Sequence, residues 1–399
     1  MIHTGRTMTR EQDLRRNFEA QQRAGKSHEF FAQLWENLSS KQMEPSRFSL
    51  KGLFENFVPG GREIVDSWNP RHGGGGINLL EAGDAVDTRL FGQITGQLVY
   101  STVLNAFQDE AFALSSIVPN VPTPFNGERI PGIGRMGDVA EVIEEGAPYP
   151  RAGLNEDWIQ TPVTQKRGIL IDLTREAIFF DRTHLLIERA ADIGQWLGYN
   201  KEIRLINAFV DENATVHRYN WKGTAYASYQ AGPTPWQNLV ASNPLVDWTS
   251  IDDAEQILAA IRDPNTNAPT LSLPKHLVVS RQNLYAAKRI ITATEIEVQS
   301  PGFATAGNPT ATRAANPVGN YRIVSSQLLQ AQMAAASAWY LGDISKMLRY
   351  MENFPLQVDQ APVNTSDMWE RDIAMSWKAG ERGAAVVVEP RVTVKCTSS

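Results

Sequence analysis

Hydrophobic residues in the first part of the chain recur every three or four positions, which is the spacing of amphipathic helices. The pattern over residues 9–39 predicts two short helices, and Thr9 and Ser27 are suited to cap their N-termini. Residues 92–108 predict a third helix. The apolar stripe of the second helix consists of Phe31, Leu34, Trp35 and Leu38. Because residues 1–75 present apolar faces without a core of their own, we interpret them as an extension that needs a partner.

Further along the chain, hydrophobic and polar residues alternate, as they do in β-strands. The pattern predicts strands over 128–134 and 139–145, and the Gly and Pro residues of 146–153 predict the tip that joins them. Residues 158–174 predict a returning strand, within which the run GILIDL is predicted to be buried. An excursion of this length contains too few apolar residues for a separate core, so we expect it to lie against another chain.

One long helix is predicted over 183–210, where apolar residues keep to one face. Asp181 or Thr183 is suited to cap its N-terminus. Gly194 and Gly198 lie inside this helix, and each costs roughly 1 kcal/mol relative to Ala. These two glycines therefore predict a bend or a close contact with a neighbouring element.

From residue 249 onward, helical and strand patterns alternate. Helices are predicted over 251–262 and 281–291, and a buried strand over 276–280. A loop rich in Gly, Ala, Asn and Pro is predicted over 301–317, followed by short strands over 321–324 and 338–341. The mixture of helices and strands indicates an α+β fold.

The C-terminal part of the chain is predicted to be mainly β-strand. Strands are expected over 355–359 and 371–378. The glycines of 380–383 predict a turn, and the apolar runs that follow it predict a closing hairpin.

Composition limits the classes of function that the chain can have. Its 399 residues carry a formal net charge of −6, and 42% are hydrophobic. Readers of specific duplex DNA sequences usually carry a basic footprint, so any contact with nucleic acid should be local and non-specific. Cys396 is the single cysteine, which excludes an intrachain disulfide and favours a reducing cytoplasm. We see no signal sequence and no apolar run long enough for a bilayer, and expect a soluble intracellular product.

The sequence offers few candidates for chemistry. Residues 132–137 match the G-x-G-x-x-G pattern, but prolines precede them and alternation follows, so a glycine-rich hairpin explains them better than a dinucleotide site. The six histidines lack metal-ligand spacing. We therefore assign no catalytic, cofactor-binding or metal-binding residue, and expect no cofactor and no enzymatic activity.

Contacts between subunits are the better candidates. Tyr149, Pro150 and Arg151 lie at the predicted hairpin tip; Tyr and Arg are favoured in binding hot spots, and proline lowers the entropy lost on docking. An ordinary solvated turn is the alternative. The other contact candidates are Trp158, Phe31, Leu34 and Trp35.

The segment KRGILIDLTREAIFFDR, which runs into the long helix, and the closing segment GERGAAVVVEPRVTV resemble the major capsid proteins of tailed phages, with the Hong Kong 97 type of fold. The order of elements supports the same resemblance over 90–395. The resemblance implies four regions: an N-terminal arm (1–118), an extended β-hairpin loop (119–168), a peripheral domain with a long spine helix (169–248 and 345–382, the helix at 183–210), and an α/β axial domain (249–344 and 383–399).

The resemblance also implies a function. Such proteins assemble as pentamers and hexamers into an icosahedral shell around double-stranded DNA, so we expect a structural protein of the virion that is assembled in the host cytoplasm. Its expected partners are other copies of itself, portal and scaffolding proteins, the packaged DNA through non-specific contacts, and possible decoration proteins, but no membrane. Some members link subunits through a loop lysine. The predicted loop has only Lys166, at its base, so we predict a shell without covalent links.

Two other functions remain open. An encapsulin-like nanocompartment would enclose cargo proteins in place of a genome, so the size and content of the particle would distinguish it. A β-rich binding protein would form a monomer or a small oligomer, which one sedimentation experiment would separate from a shell of megadalton mass.

Overall fold

A computed structural model describes residues 11–58, 60–67, 85–124, 126–131, 157–212, 218–299, 311–333, 335–361 and 370–398. The chain divides into two compact units. The first unit comprises Met1–Asp109, Lys166–Tyr199 and Phe354–Arg382, and the second comprises Glu110–Gln165, Asn200–Asn353 and Gly383–Ser399. The division into four regions expected from the sequence stays a prediction, although it shares with the two units a boundary after Arg382.

The described residues form helices and strands in mixed order, which confirms the α+β class. The helices are α1 (Glu11–Arg23), α2 (Ser27–Ser39), α3 (Leu50–Phe57), α4 (Gly61–Ser67), α5 (Ala85–Phe107), α6 (Arg175–Phe179), α7 (Thr183–Val210), α8 (Trp248–Ala260), α9 (Leu284–Thr292), α10 (Gln327–Gln332) and α11 (Ile344–Met347). The strands are β1 (Asn120–Pro122), β2 (Arg129–Pro131), β3 (Trp158–Gln160), β4 (Gln165–Thr174), β5 (Tyr219–Trp221), β6 (Thr224–Tyr226), β7 (Leu239–Val240), β8 (His276–Val279), β9 (Glu295–Gln299), β10 (Ala311–Ala315), β11 (Arg322–Val324), β12 (Trp339–Gly342), β13 (Leu348–Gln360), β14 (Ile373–Val387) and β15 (Thr393–Cys396).

Helices α1 to α5 surround the core of the first unit, and residues of β4, β13, β14 and α7 complete it. The largest buried side chains there include Phe30, Leu34, Phe54, Phe91 and Trp377. The apolar faces of the N-terminal helices therefore meet each other and α5. The expectation that these faces lack a core within the chain was wrong, because the pattern of one segment does not show which distant segment covers it.

The start of α2 differs in detail from the sequence prediction. The residue that precedes α2 is Lys26, which provides no side-chain cap, and Ser27 is the first helical residue. Ser49 caps α3 instead, where its hydroxyl accepts a hydrogen bond from the Gly52 amide at 2.9 Å. Thr9 lies outside the described residues.

The start of α7 is organised around Asp181, which adopts a left-handed conformation (φ 49°). Its carboxylate accepts hydrogen bonds from the hydroxyls of Thr183 at 2.7 Å and Ser49 at 2.8 Å. The Thr183 hydroxyl in turn accepts from the Leu50 amide at 2.7 Å. Burial opposes the charged form of Asp181, but these hydrogen bonds outweigh it and lower the pKa of the carboxyl group. The same residues thus begin the long helix and fix α3 against it.

The run GILIDL is not buried throughout, contrary to prediction. Ile171 and Leu173 are 3% and 1% exposed, whereas Ile169 and Leu170 are 40% and 64% exposed. These residues belong to β4, which is the terminal strand of the sheet β1-β13-β14-β4. Leu170 lies on the opposite face from the buried Ile171 and Leu173, and that face is open, whereas Ile169 shares their face but is covered only in part.

The predicted turn at 380–383 and the closing hairpin were also wrong. Strand β14 passes through these residues without interruption. Its glycines allow close packing: a β-carbon at Gly383 would lie 2.6 Å from the ring of Tyr350, and one at Gly380 would lie 3.1 Å from the Arg167 carbonyl oxygen. The last strand, β15, pairs with β12 and β7 rather than folding back on β14.

A five-stranded sheet, in the order β11-β8-β12-β15-β7, forms the centre of the second unit. Strand β8 is buried along its whole length, as predicted. Leu277 and Val279 face a cluster that includes α8 and α9, whereas Val278 faces the end of α7. The predicted loop over 301–317 was wrong in part, because residues 311–315 form β10, which pairs with β9.

Candidate subunit-contact surfaces

The arm candidates lie on α2, in the first unit. Leu34 is fully buried, so it has no surface left for a second chain. Trp35 is partly exposed and stacks on Tyr100 of α5, with the ring centroids 5.1 Å apart and an angle of 28° between the planes. Phe31 is also partly exposed and lies edge-on to Phe30. Of the three, only Phe31 and Trp35 keep accessible surface, and their contact with another subunit stays a prediction.

Trp158 belongs to β3, in the small sheet β2-β3-β5-β6 of the second unit. It pairs in register with Pro131 and Asn220. The guanidinium of Arg129 lies 4.9 Å from the centre of the Trp158 ring, a geometry that favours cation–π attraction. The ring is partly exposed, so part of its surface is available for a contact with a second chain.

Near Trp158, one hydrogen bond ties the predicted loop to β5 and another joins its two ends. The Tyr219 hydroxyl donates a hydrogen bond to the carboxylate of Asp157, and burial together with this bond raises the pKa of Tyr219. The side-chain oxygen of Asn126 accepts from the amide of Thr164 at 2.9 Å. The tip candidates Tyr149, Pro150 and Arg151 lie outside the described residues, so their role stays a prediction.

Sequence reasoning missed several exposed apolar side chains. On α7, Trp196 is 59% exposed and lies edge-on to Tyr199, with the ring centroids 5.8 Å apart. In the second unit, Leu271, Leu273 and Tyr285 are 82%, 77% and 71% exposed. Trp196 lies outside the apolar face predicted for the long helix, and this position could have indicated from the sequence that its side chain is exposed. Surfaces that bind a partner expose contiguous groups of large apolar side chains, so these residues are candidates for subunit contact.

The charged residues in the interior of the second unit have structural partners. Arg391, whose side chain is 6% exposed, lies 3.0 Å from the carboxylate of Asp263, whose side chain is 2% exposed, and it also pairs with Glu389 at 2.8 Å. Glu202 is fully buried on α7 and accepts the amides of Leu114 and Ser115, each at 2.8 Å. These groups fix loops to helices and strands of the second unit.

Other features of the described residues bear on chemistry. Cys396 is buried, and burial raises the pKa of its thiol to about 12 although Asn243 donates a hydrogen bond to the sulfur. No group of three or more His, Cys, Asp or Glu side chains in the described ranges is arranged to hold a metal ion. No helix in that part of the chain combines the length and apolar character that a bilayer crossing needs.

Comparison with known proteins gives a family match. The family described as "Phage capsid protein" matches residues 159–396, which run from β3 to β15. No curated protein matches the chain.

Three solved structures resemble the fold at low identity. A structure from Mycobacterium phage Bobi is 15% identical over 71% of this chain and 89% of its own, with a TM-score of 0.41. The capsid of a native GTA particle is 14% identical over 72% and 90%, with a TM-score of 0.43. The holo-SrpI encapsulin complex from Synechococcus elongatus PCC 7942 is 11% identical over 73% and 88%, with a TM-score of 0.41. Because these values are low, the assignment of the chain depends on the family match.

Proposed function

The chain belongs to the phage capsid protein family, and we propose that its copies close into pentamers and hexamers that form an icosahedral shell around double-stranded DNA. As a major capsid protein it is structural, and its place is the capsid of the virion. The observation that carries the proposal is the extent of the family match, which includes residues of both compact units.

The surface of the described residues supports assembly. Exposed aromatic and leucine side chains occur in both units, at Trp196 and Phe180 in the first and at Leu271 and Tyr285 in the second. A ring closes when one surface of a subunit meets a different surface of the next copy, so a shell protein needs several separate contact surfaces. The distribution of exposed apolar residues meets that need.

The finer roles belong to the same proposal. Copies of the chain assemble in the host cytoplasm together with portal and scaffolding proteins, and decoration proteins bind outside. The net charge of −6 favours weak, non-specific contact with packaged DNA over sequence recognition. The protein acts through assembly, without catalysis.

Sedimentation of the purified full-length chain tests the proposal. We expect particles of megadalton mass, and we expect particles isolated from infected cells to protect DNA from added nuclease. A chain that remains a monomer or small oligomer at high concentration would contradict a shell. A closed, DNA-free cage that contains protein cargo would favour a nanocompartment of the encapsulin kind.

A further inference from the structure

Helices α8 and α9 carry opposite charges on their exposed sides. Residues 247–260, which include α8, contain four acidic residues and no Lys or Arg: Asp247, Asp252, Asp253 and Glu255. Residues 281–294, which include α9, contain three basic residues and no Asp or Glu: Arg281, Lys288 and Arg289. Charge is thus separated between two helices of the same unit.

The apolar sides of both helices are buried against the five-stranded sheet. Ile251, Ala254 and Leu258 of α8 and Leu284, Ala287 and Ile290 of α9 are buried in one cluster on a single face of the five-stranded sheet. The charged residues therefore point away from the sheet. We call Asp252 and Asp253 the acidic face. We call Arg281 and Lys288, together with Tyr285 between them, the basic face.

Neither face is neutralised by the described residues of its own chain. Asp247 and Glu255 are occupied locally: Asp247 caps α8 by accepting the Thr249 amide, and Glu255 accepts the hydroxyl of Tyr321. Arg289 donates to the Val246 carbonyl. Among the described residues, the acidic face and the charged groups of the basic face make no ion pair; Asp252 accepts only a side-chain amide, from Gln256 at 2.8 Å.

The sheet places the two faces toward opposite edges. Helix α8 packs on β12 and β15, whereas α9 packs on β8 and β11. In the order β11-β8-β12-β15-β7, α9 lies toward the β11 edge and α8 toward the β7 edge. Two complementary surfaces at opposite edges of one unit are the arrangement that a head-to-tail ring requires.

We propose that the acidic face of one copy binds the basic face of the next copy around each ring. The inference rests on the proposed shell function and names the surfaces that close its rings. Opposite charges steer the encounter and fix the register of the two helices. Tyr285, 71% exposed, supplies the large side chain that anchors such contacts.

Charge reversal on each face, followed by reversal of both, tests the contact. The variant Asp252→Lys/Asp253→Lys and the variant Arg281→Glu/Lys288→Glu each place like charges opposite each other. We expect each to lower the yield of shells by about tenfold or more. The chain that carries all four substitutions regains complementary faces, and we expect its yield to return toward that of the wild type. Arg349→Glu, which reverses the charge of an exposed basic residue outside the two faces, is the control.

A neutral variant and a salt series make the test independent of any folding defect. Wild-type assembly should weaken as salt is raised from about 0.05 to about 0.5 M, because dissolved ions screen the attraction between the acidic face and the basic face. Asp252→Asn/Asp253→Asn should assemble less well at low salt and should respond less to salt. Thermal unfolding of each unassembled variant reports its folding.

Two results would overturn the inference. In the first, either single-face reversal assembles as well as the wild type. In the second, each single-face reversal prevents assembly and the chain with all four substitutions also fails to assemble. That result would mean that the two faces do not meet each other. A wild-type chain that never assembles would instead contradict the proposed function itself.

Discussion

Gly194 of α7 packs directly against Val103 of α5. A β-carbon at Gly194 would lie 2.3 Å from the Val103 carbonyl oxygen and 2.8 Å from the β-carbon of Ala106. The glycine inside the long helix therefore permits a close helix–helix contact, one of the two explanations that its position predicted. Both residues belong to the first unit.

Substitution of Gly194 by Ala should destabilise the first unit. Helix propensity alone favours Ala over Gly by about 1 kcal/mol, but the new methyl group would meet backbone that cannot move away freely. Overpacking of this kind costs about 1–3 kcal/mol, so the steric effect should win. Thermal unfolding of the unassembled chain measures the balance. Gly232→Ala is the control, because nothing lies within 4 Å of the β-carbon it would add; a Gly194→Ala chain as stable as the wild type would contradict the contact.

Asp181 should make the stability of the first unit depend on pH in the acid range. Its pKa is lowered in the folded state, so its contribution is complete above the unfolded-state pKa of about 3.9. That contribution is lost as the pH falls through the folded value. Asn tolerates the left-handed conformation, so Asp181→Asn tests the charge alone. The variant should have a lower free energy of unfolding than the wild type near neutral pH, and the two values should converge in acid. Denaturant unfolding across pH checks this, with the exposed Asp192→Asn as control; parallel curves for Asp181→Asn and the wild type would contradict it.

The burial of an ion pair should determine how much it contributes to stability, and two pairs of this chain allow the comparison. Arg391→Ala leaves Asp263 charged and buried, so we expect a loss of about 3–5 kcal/mol in the second unit. Lys378 and Asp359 are 60% and 56% exposed, and Lys378→Ala should cost no more than about 1 kcal/mol. Chemical denaturation of both variants compares them. Equal effects would show that burial does not determine the cost.

Assembled shells should come apart completely in hot detergent. Lys166 is the single lysine in the predicted loop region, at its base, and it is exposed at the start of β4. An isopeptide link from the loop tip to a neighbouring subunit therefore has no lysine to use. Gel electrophoresis of boiled shells should give one band near 44.3 kDa. A ladder of multimers that persists after boiling and disappears in Lys166→Arg would show that the link exists.

The predicted hairpin tip should matter for assembly and not for folding. Tyr149→Ala/Arg151→Ala removes the two hot-spot side chains while Pro150 stays in place. We expect fewer shells at a given concentration and an unchanged unfolding midpoint of the free chain. Light scattering during assembly measures the first quantity. Full assembly of the double variant would favour a solvated turn.

The sequence predicted an element best where a single hydrophobic pattern extends through the whole element. Helix α7 begins and ends at the predicted residues, and β8 is buried as its apolar run indicated. The capsid resemblance and the α+β class were confirmed as well. These features depend on local patterns that tertiary packing did not reverse.

The errors have a common physical cause. Gly380 and Gly383 suit either a turn or a close approach between strands, and only the position of Tyr350 and Arg167 decides between them. Likewise, GILIDL gives no sign that β4 lies at a sheet edge. The exposed Trp196 and the complementary faces of α8 and α9 were missed because exposure depends on neighbours that are distant in sequence.

Electron microscopy of the purified, assembled full-length chain tests the central claim most directly. If its copies form a capsid shell, images should show closed particles whose surface is built from rings of five and six copies. Discrete small oligomers with no closed particles, under conditions that keep the chain folded and concentrated, would contradict the account.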